Sequence, residues 1–187
     1  MKTNESIEAI MKTLNQKDPY SEIHSTRVAY YSKRLAKAAG LSKHRINIIE
    51  TAALLHDIGK ILIDDKILKS NQKLTNQEYE LIKQHSMHGY NILSTIPTMT
   101  EISKIILTHH ERIDGNGYPY HLKGDSIPLE AKIISIADAY DAMTGKRRYR
   151  AQYVKEEAIL DMLEHKGTQF DEKLVNLFVD ILIEEKT

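Results

Sequence analysis

The chain has 187 residues, of which 41% are hydrophobic and 28% charged, and its 26 basic residues balance its 26 acidic ones. A neutral balance lacks the basic footprint of a protein that binds polymeric nucleic acid, and the basic excess that favours an anionic membrane. With no cysteine, disulfides and thiolate-bound zinc are excluded, so any metal must be held by nitrogen and oxygen donors. No run is long enough to span a membrane and no signal-peptide core is visible, so a cytoplasmic location is expected. There are nine histidines, and their placement carries the argument.

Residues 1–187 read as one domain, an N-terminal helix over 1–17 followed by a core over 18–187. The first helix spans about 4–16, with Ile7, Ile10, Met11 and Leu14 at helical spacing before Asp18-Pro19 interrupts it. A second runs from about 21 to 39, its stripe of Val28, Tyr31 and Leu35 preceded four residues earlier by His24, with Gly40 closing it. Ser42 caps a third, whose stripe Ile46, Ile49 and Ala53 continues to His56 and is followed by Asp57 and a terminating Gly59. Thr75-Asn76-Gln77-Glu78 is a capping box opening a fourth, read as continuous through Ile82, His85, Gly89 and Ile92 to Pro97. A fifth starts near Thr100 and carries Ile102, Ile105 and Ile106, then His109 and His110. Glycines and prolines make 111–128 a loop. Helices follow after Pro128 (Ile133, Ile136, Ala137 and Tyr140, with Asp138 and Asp141), over 154–166, and over 172–184 with Asp171 as cap. The fold class is all-α.

His24, His56, His85, His109 and His110 all extend apolar stripes that should face the core, and Asp57 and Asp138 lie in similar settings. A single buried histidine is ordinarily a core residue bonded to a carbonyl. Five imidazoles together with two carboxylates would each cost about 1–3 kcal/mol or more if left unpaired. A shared cation offsets these costs, because the lone pairs become ligand bonds. Adjacent helical residues diverge by about 100°, so His56 and Asp57 reach one ion only at a helix end, which Gly59 supplies. An aspartate has two oxygens and can bridge two ions. Seven nitrogen and oxygen ligands suit a pair of five- or six-coordinate ions such as iron or manganese better than one tetrahedral zinc. Of the other histidines, His44 and His88 are read as surface residues, His121 as a loop residue and His165 as a helix C-terminal cation.

The segment His56-Asp57-Ile58-Gly59-Lys60 and the eleven residues His109-His110-Glu111-Arg112-Ile113-Asp114-Gly115-Asn116-Gly117-Tyr118-Pro119 resemble the two signatures of the HD-GYP domains, a branch of the HD phosphohydrolase superfamily. The resemblance runs from Asp18-Pro19-Tyr20 to Phe170-Asp171. It implies a helical bundle around a metal centre and hydrolysis of cyclic di-GMP to pGpG or GMP by a hydroxide activated between two metal ions. It further implies that Asp57 bridges the ions, with His24, His56 and Asp138 completing one site and His85, His109 and His110 the other. Lys60 resembles a lysine that approaches the scissile phosphate, making it, with Asp57, a catalytic candidate. Arg147 and Arg150 resemble arginines that grip substrate phosphates, and Tyr118 would shape the pocket lip. Three-metal members carry a glutamate where this chain has Tyr20, and Glu22 is offset by two positions, so two metals are expected. Asp114 is read as shaping the glycine loop and Glu111 as orienting a histidine, ahead of proton transfer by either. The expected partner is a cyclic dinucleotide, with a homodimer or a signalling protein left open. Rival readings are hydrolysis of another cyclic dinucleotide or nucleotide, a dinuclear iron oxygenase, and a non-hydrolysing receptor.

Overall fold

The computed structural model describes residues 2–17, 19–70, 72–145 and 152–185. Ten α-helices occur among them: α1 (Lys2–Lys17), α2 (Pro19–Ala38), α3 (Lys43–Leu55), α4 (Asp65–Leu68), α5 (Asn76–Lys83), α6 (His85–Ser94), α7 (Thr100–Leu107), α8 (Leu129–Thr144), α9 (Lys155–Glu164) and α10 (Glu172–Glu184). The described residues contain no β-strand, only an isolated bridge between Lys166 and Phe170. Among the described residues no helix is long and apolar enough to cross a membrane.

Local chemistry sets many of the helix starts. Ser42 accepts from the Arg45 amide, Thr75 and Glu78 form the reciprocal box, and Asp171 accepts from the amides of Lys173 and Leu174. Helix α2 begins at Pro19, earlier than the hydrophobic stripe suggests, because proline suits a first turn whose amides lack partners. Helix α2 is central and packs against α3 and α8, while α6 packs against α7 and against a 3-10 turn over Ile58–Leu62. One apolar cluster, including Leu14, Val28, Ile49, Ile106, Ile133 and Phe178, draws on every helix except the short α4 and α5.

Two local departures from the sequence reading have physical causes. The short α4 follows an Asp64 cap on the Lys66 amide, and four residues are too few to show a period. The segment expected as one helix from Thr75 breaks at Gln84. There the Gln84 amide turns to Leu81 O in a three-residue step, and the His85 ring takes the Ile82 carbonyl. His88 also differs from expectation. It is half-buried rather than at the surface, and its Nδ1 is shielded from solvent with no hydrogen-bond partner.

Gly59 does more than end a helical pattern. A Cβ there would lie 1.8 Å from His85 O and 2.6 Å from the Gly89 amide nitrogen. The 3-10 turn therefore crosses the start of α6 in backbone contact, which carries Asp57 up to His85.

The loop over 111–128 is clamped from inside. Buried Glu111 accepts from the Tyr120 amide at 2.7 Å and the Leu122 amide at 3.0 Å, so it folds the loop rather than orienting a histidine as the sequence reading had it. Asp114 pairs with Arg112 and accepts from the Asn116 amide at 2.9 Å, which holds its carboxyl well below the usual range and shapes the turn at Gly115 (φ 81°). The amides of Ile113 and Asp114 bond to Gln169 O and Thr168 O, docking the loop on the α9–α10 connection.

Gly59→Ala should cost about 4 kcal/mol or abolish folding, since two backbone segments would have to part. Gly40→Ala, strained only by its φ of 74° with open space around it, should cost about 1 kcal/mol. Urea denaturation of both variants checks this, and equal small losses would contradict the crossing. Glu111→Ala leaves two loop amides unpaired, about 3 kcal/mol, and should lower the melting temperature by about 6–12 °C, read by calorimetry.

Candidate metal centre

The helices end where the histidines begin. Helix α3 stops at Leu55, α5 at Lys83 and α7 at Leu107, and each leaves last-turn carbonyls without amide partners. His56 Nδ1 donates to Ala53 O at 2.7 Å, His85 Nδ1 to Ile82 O at 2.8 Å and His109 Nδ1 to Ile106 O at 2.5 Å, each a bond three residues back. A carbonyl can only accept, so the proton of each neutral ring must sit on Nδ1. Each Nε2 is then a bare lone pair facing inward.

These lone pairs converge. His24, His56 and Asp138 present donor atoms that all lie within 4.8 Å of one another, and so do His85, His109 and His110. Asp57 lies between the two groups. Its Oδ2 is 3.4 Å from His56 Nε2 and 3.8 Å from His24 Nε2, while its Oδ1 is 3.6 Å from His85 Nε2. Asp138 Oδ1 is 3.1 Å from His24 Nε2 and 3.9 Å from His56 Nε2.

The donor set suits cations. His85 Nε2 and His109 Nε2 face each other at 3.4 Å; with both Nδ1 atoms protonated, no hydrogen bond joins them and two lone pairs repel. Burial opposes charging of these rings, pushing His85 down to about 4 and His110 to about 3, with His109 well below its ordinary value. Burial also opposes ionisation of Asp57, yet Lys60 above all holds it well below the carboxylate range. Asp138 stays low despite burial, chiefly through its bond to His24. Neutral imidazoles and ionised carboxylates are the forms that ligate a divalent ion. His24 differs. Burial disfavours its cation, but bonds to Asp138 and Asp141 raise it to about 9.

Around this group, Lys60 Nζ rests on Asp57 Oδ2 at 2.6 Å. The Tyr118 ring stacks on His110, centroids 4.8 Å apart and planes at 29°, and Lys83 Nζ lies 5.5 Å from its centre. Burial pushes the Tyr118 phenol upward, keeping it a neutral donor. Glu22 is exposed and belongs to neither group of donors. Arg147 and Arg150 lie outside the described residues. Asp141 on α8 has no role that the sequence pattern assigns. It is 1% exposed, accepts from His24 Nδ1 at 2.7 Å and pairs with Arg27. Its position three residues after Asp138, on one helix face, was the available signal.

The HD domain family model matches residues 8–174. A 3'3'-cGAMP-specific phosphodiesterase 2 of Vibrio cholerae is 40% identical over 159 residues, covering 84% of this chain and 30% of the relative. A cyclic di-GMP phosphodiesterase of Thermotoga maritima is 38% identical over 178 residues, covering 92% and 48%. The chain thus spans about half or less of these relatives. Two solved structures share the fold. A cyclic GMP-AMP specific phosphodiesterase of V. cholerae has a TM-score of 0.74 at 18% identity, covering 97% of this chain and 49% of that one. The HD domain of L. monocytogenes phosphodiesterase PgpH, in complex with cyclic-di-AMP, has 0.66 at 20%, covering 95% of each. With its helical fold and a matched span that covers most of its length, the chain belongs to the HD domain family.

Proposed function

We propose that this chain is a metal-dependent phosphodiesterase that hydrolyses a cyclic dinucleotide, with cyclic di-GMP as the first substrate and pGpG or GMP as product. The observation that carries the reading is the pair of donor triads sharing Asp57 between them. In this reading His24, His56 and Asp138 would hold one ion and His85, His109 and His110 a second, with Asp57 shared between them. Two divalent ions, iron or manganese by the nitrogen and oxygen donors, would supply Lewis-acid charge and a water acidified toward neutral pH.

The chain's own residues do the rest. Carbonyl-bonded imidazoles keep their bare nitrogens aimed without reorganisation. Lys60, 23% exposed at its side chain, is close enough to swing from Asp57 to a phosphate oxygen and neutralise charge that builds there. Tyr118, fixed on His110, forms one wall for the substrate and offers a phenol proton. Arg147 and Arg150 are proposed phosphate contacts from the sequence pattern alone. Residues 1–187 are proposed to act as one unit in the cytoplasm.

Cyclic GMP-AMP is the second reading, favoured by the 40% identical V. cholerae relative, whose name specifies 3'3'-cGAMP. Both ligands present the same phosphodiester to the centre and differ in one base.

Manganese(II) at 100 times its dissociation constant should stabilise the protein by about 2.7 kcal/mol, a rise in melting temperature of about 5–10 °C, with most of that rise absent in Asp57→Ala. Anaerobically purified protein incubated with cyclic di-GMP, cyclic di-AMP and 3'3'-cGAMP, with products identified by mass, should turn over at least one of the three. Asp57→Ala should be slower by about 100-fold or more. Full turnover by the metal-depleted variant would sink the reading. Tight binding without product in the presence of iron(II) or manganese(II) would replace it with a receptor.

A further inference from the structure

His24 is oriented by a different device from His56, His85 and His109. It lies inside α2, where the carbonyls one turn back belong to the helix's own hydrogen-bond ladder. No freed backbone acceptor is available to its Nδ1. The acceptor comes instead from another helix. Asp141 on α8 places Oδ2 at 2.7 Å from His24 Nδ1. A carboxylate 1% exposed needs compensation, and Arg27, three residues after His24 on the same helix, supplies it: its Nε donates to Oδ1 and its Nη2 to Oδ2 at 3.0 Å. Asp141 is thereby gripped by two residues of α2, one pointing into the centre and one 37% exposed at the surface.

We propose, resting on the metal-centre reading above, that Asp141 and Arg27 are positioning residues for the His24–His56–Asp138 triad, which makes that triad's affinity depend on the docking of α2 against α8. His85 and His109 in the other triad take their orientation from carbonyls three residues back in their own chain segments, so that triad binds its ion independently of Asp141. The two metal sites are accordingly unequal, and the difference lies in residues that touch no metal. An imidazole bonded to an ionised carboxylate is a more basic ligand than one bonded to an amide carbonyl, and its ring is held only while the carboxylate is held.

The test is manganese(II) stoichiometry and affinity of the full chain without substrate, by elemental analysis and titration, with circular dichroism as the folding control. The unsubstituted chain should bind two ions. Asp141→Asn, which keeps the shape and removes the charge, should keep one ion and lose affinity for the second by about 10- to 100-fold. Arg27→Gln should lose affinity at the same site, and it decides the matter if Asp141→Asn does not fold. Glu50→Gln, which breaks an exposed pair with Lys33, should bind as the unsubstituted chain does. Two ions at unchanged affinity in both variants, or equal loss at both sites, overturns the assignment. Absence of manganese uptake by the unsubstituted chain is a separate outcome, which removes the metal centre and this assignment with it.

Discussion

An imidazole that is to offer a lone pair to a shared centre must give away the proton on its other nitrogen, and in a buried site that proton needs a fixed acceptor. Helix C-termini provide one at no extra cost, since their last carbonyls have no amide partners. His56, His85 and His109 each use that opportunity through a bond to the carbonyl three residues back. The same bond caps a last-turn carbonyl, sets the tautomer and aims Nε2. Helix termination and ligand orientation are one event in these three places, which explains why the chain breaks its helices around the centre.

The backbone then has to bring the helix ends together. The contact between Gly59 and the start of α6, where any side chain would collide with His85 O, places Asp57 beside His85. The loop clamped by Glu111 and docked on residues 168 and 169 packs Tyr118 over His110. Helix α8 completes the group with Asp138, and supplies Asp141 to His24, which lies in the interior of α2.

Electrostatics divides the work. Burial keeps the imidazoles of the His85 group neutral, while Lys60 keeps Asp57 ionised against its own burial. The result is a set of lone pairs and negative charge with little solvent access, an arrangement costly to leave alone and suited to divalent cations. Membership of the HD domain family accords with this chemistry.

Sequence alone determined the helical class, the capped starts at Ser42, Thr75 and Asp171, and the inward set of histidines, because each depends on spacing within a few residues. The stripe Ile46, Ile49, Ala53, His56 placed an imidazole in the core without knowledge of any other helix. Tertiary structure decided what those side chains meet. Asp57 spanning both triads depends on segments distant in the chain, while the break at Gln84 and the bonding of Glu111 to loop amides are turns that carry no helical period. Asp141 is the plainest case: its partners His24 and Arg27 lie 117 and 114 residues away. Helical period reports which face a residue is on; only the packing of α2 on α8 says which side chain waits across the interface.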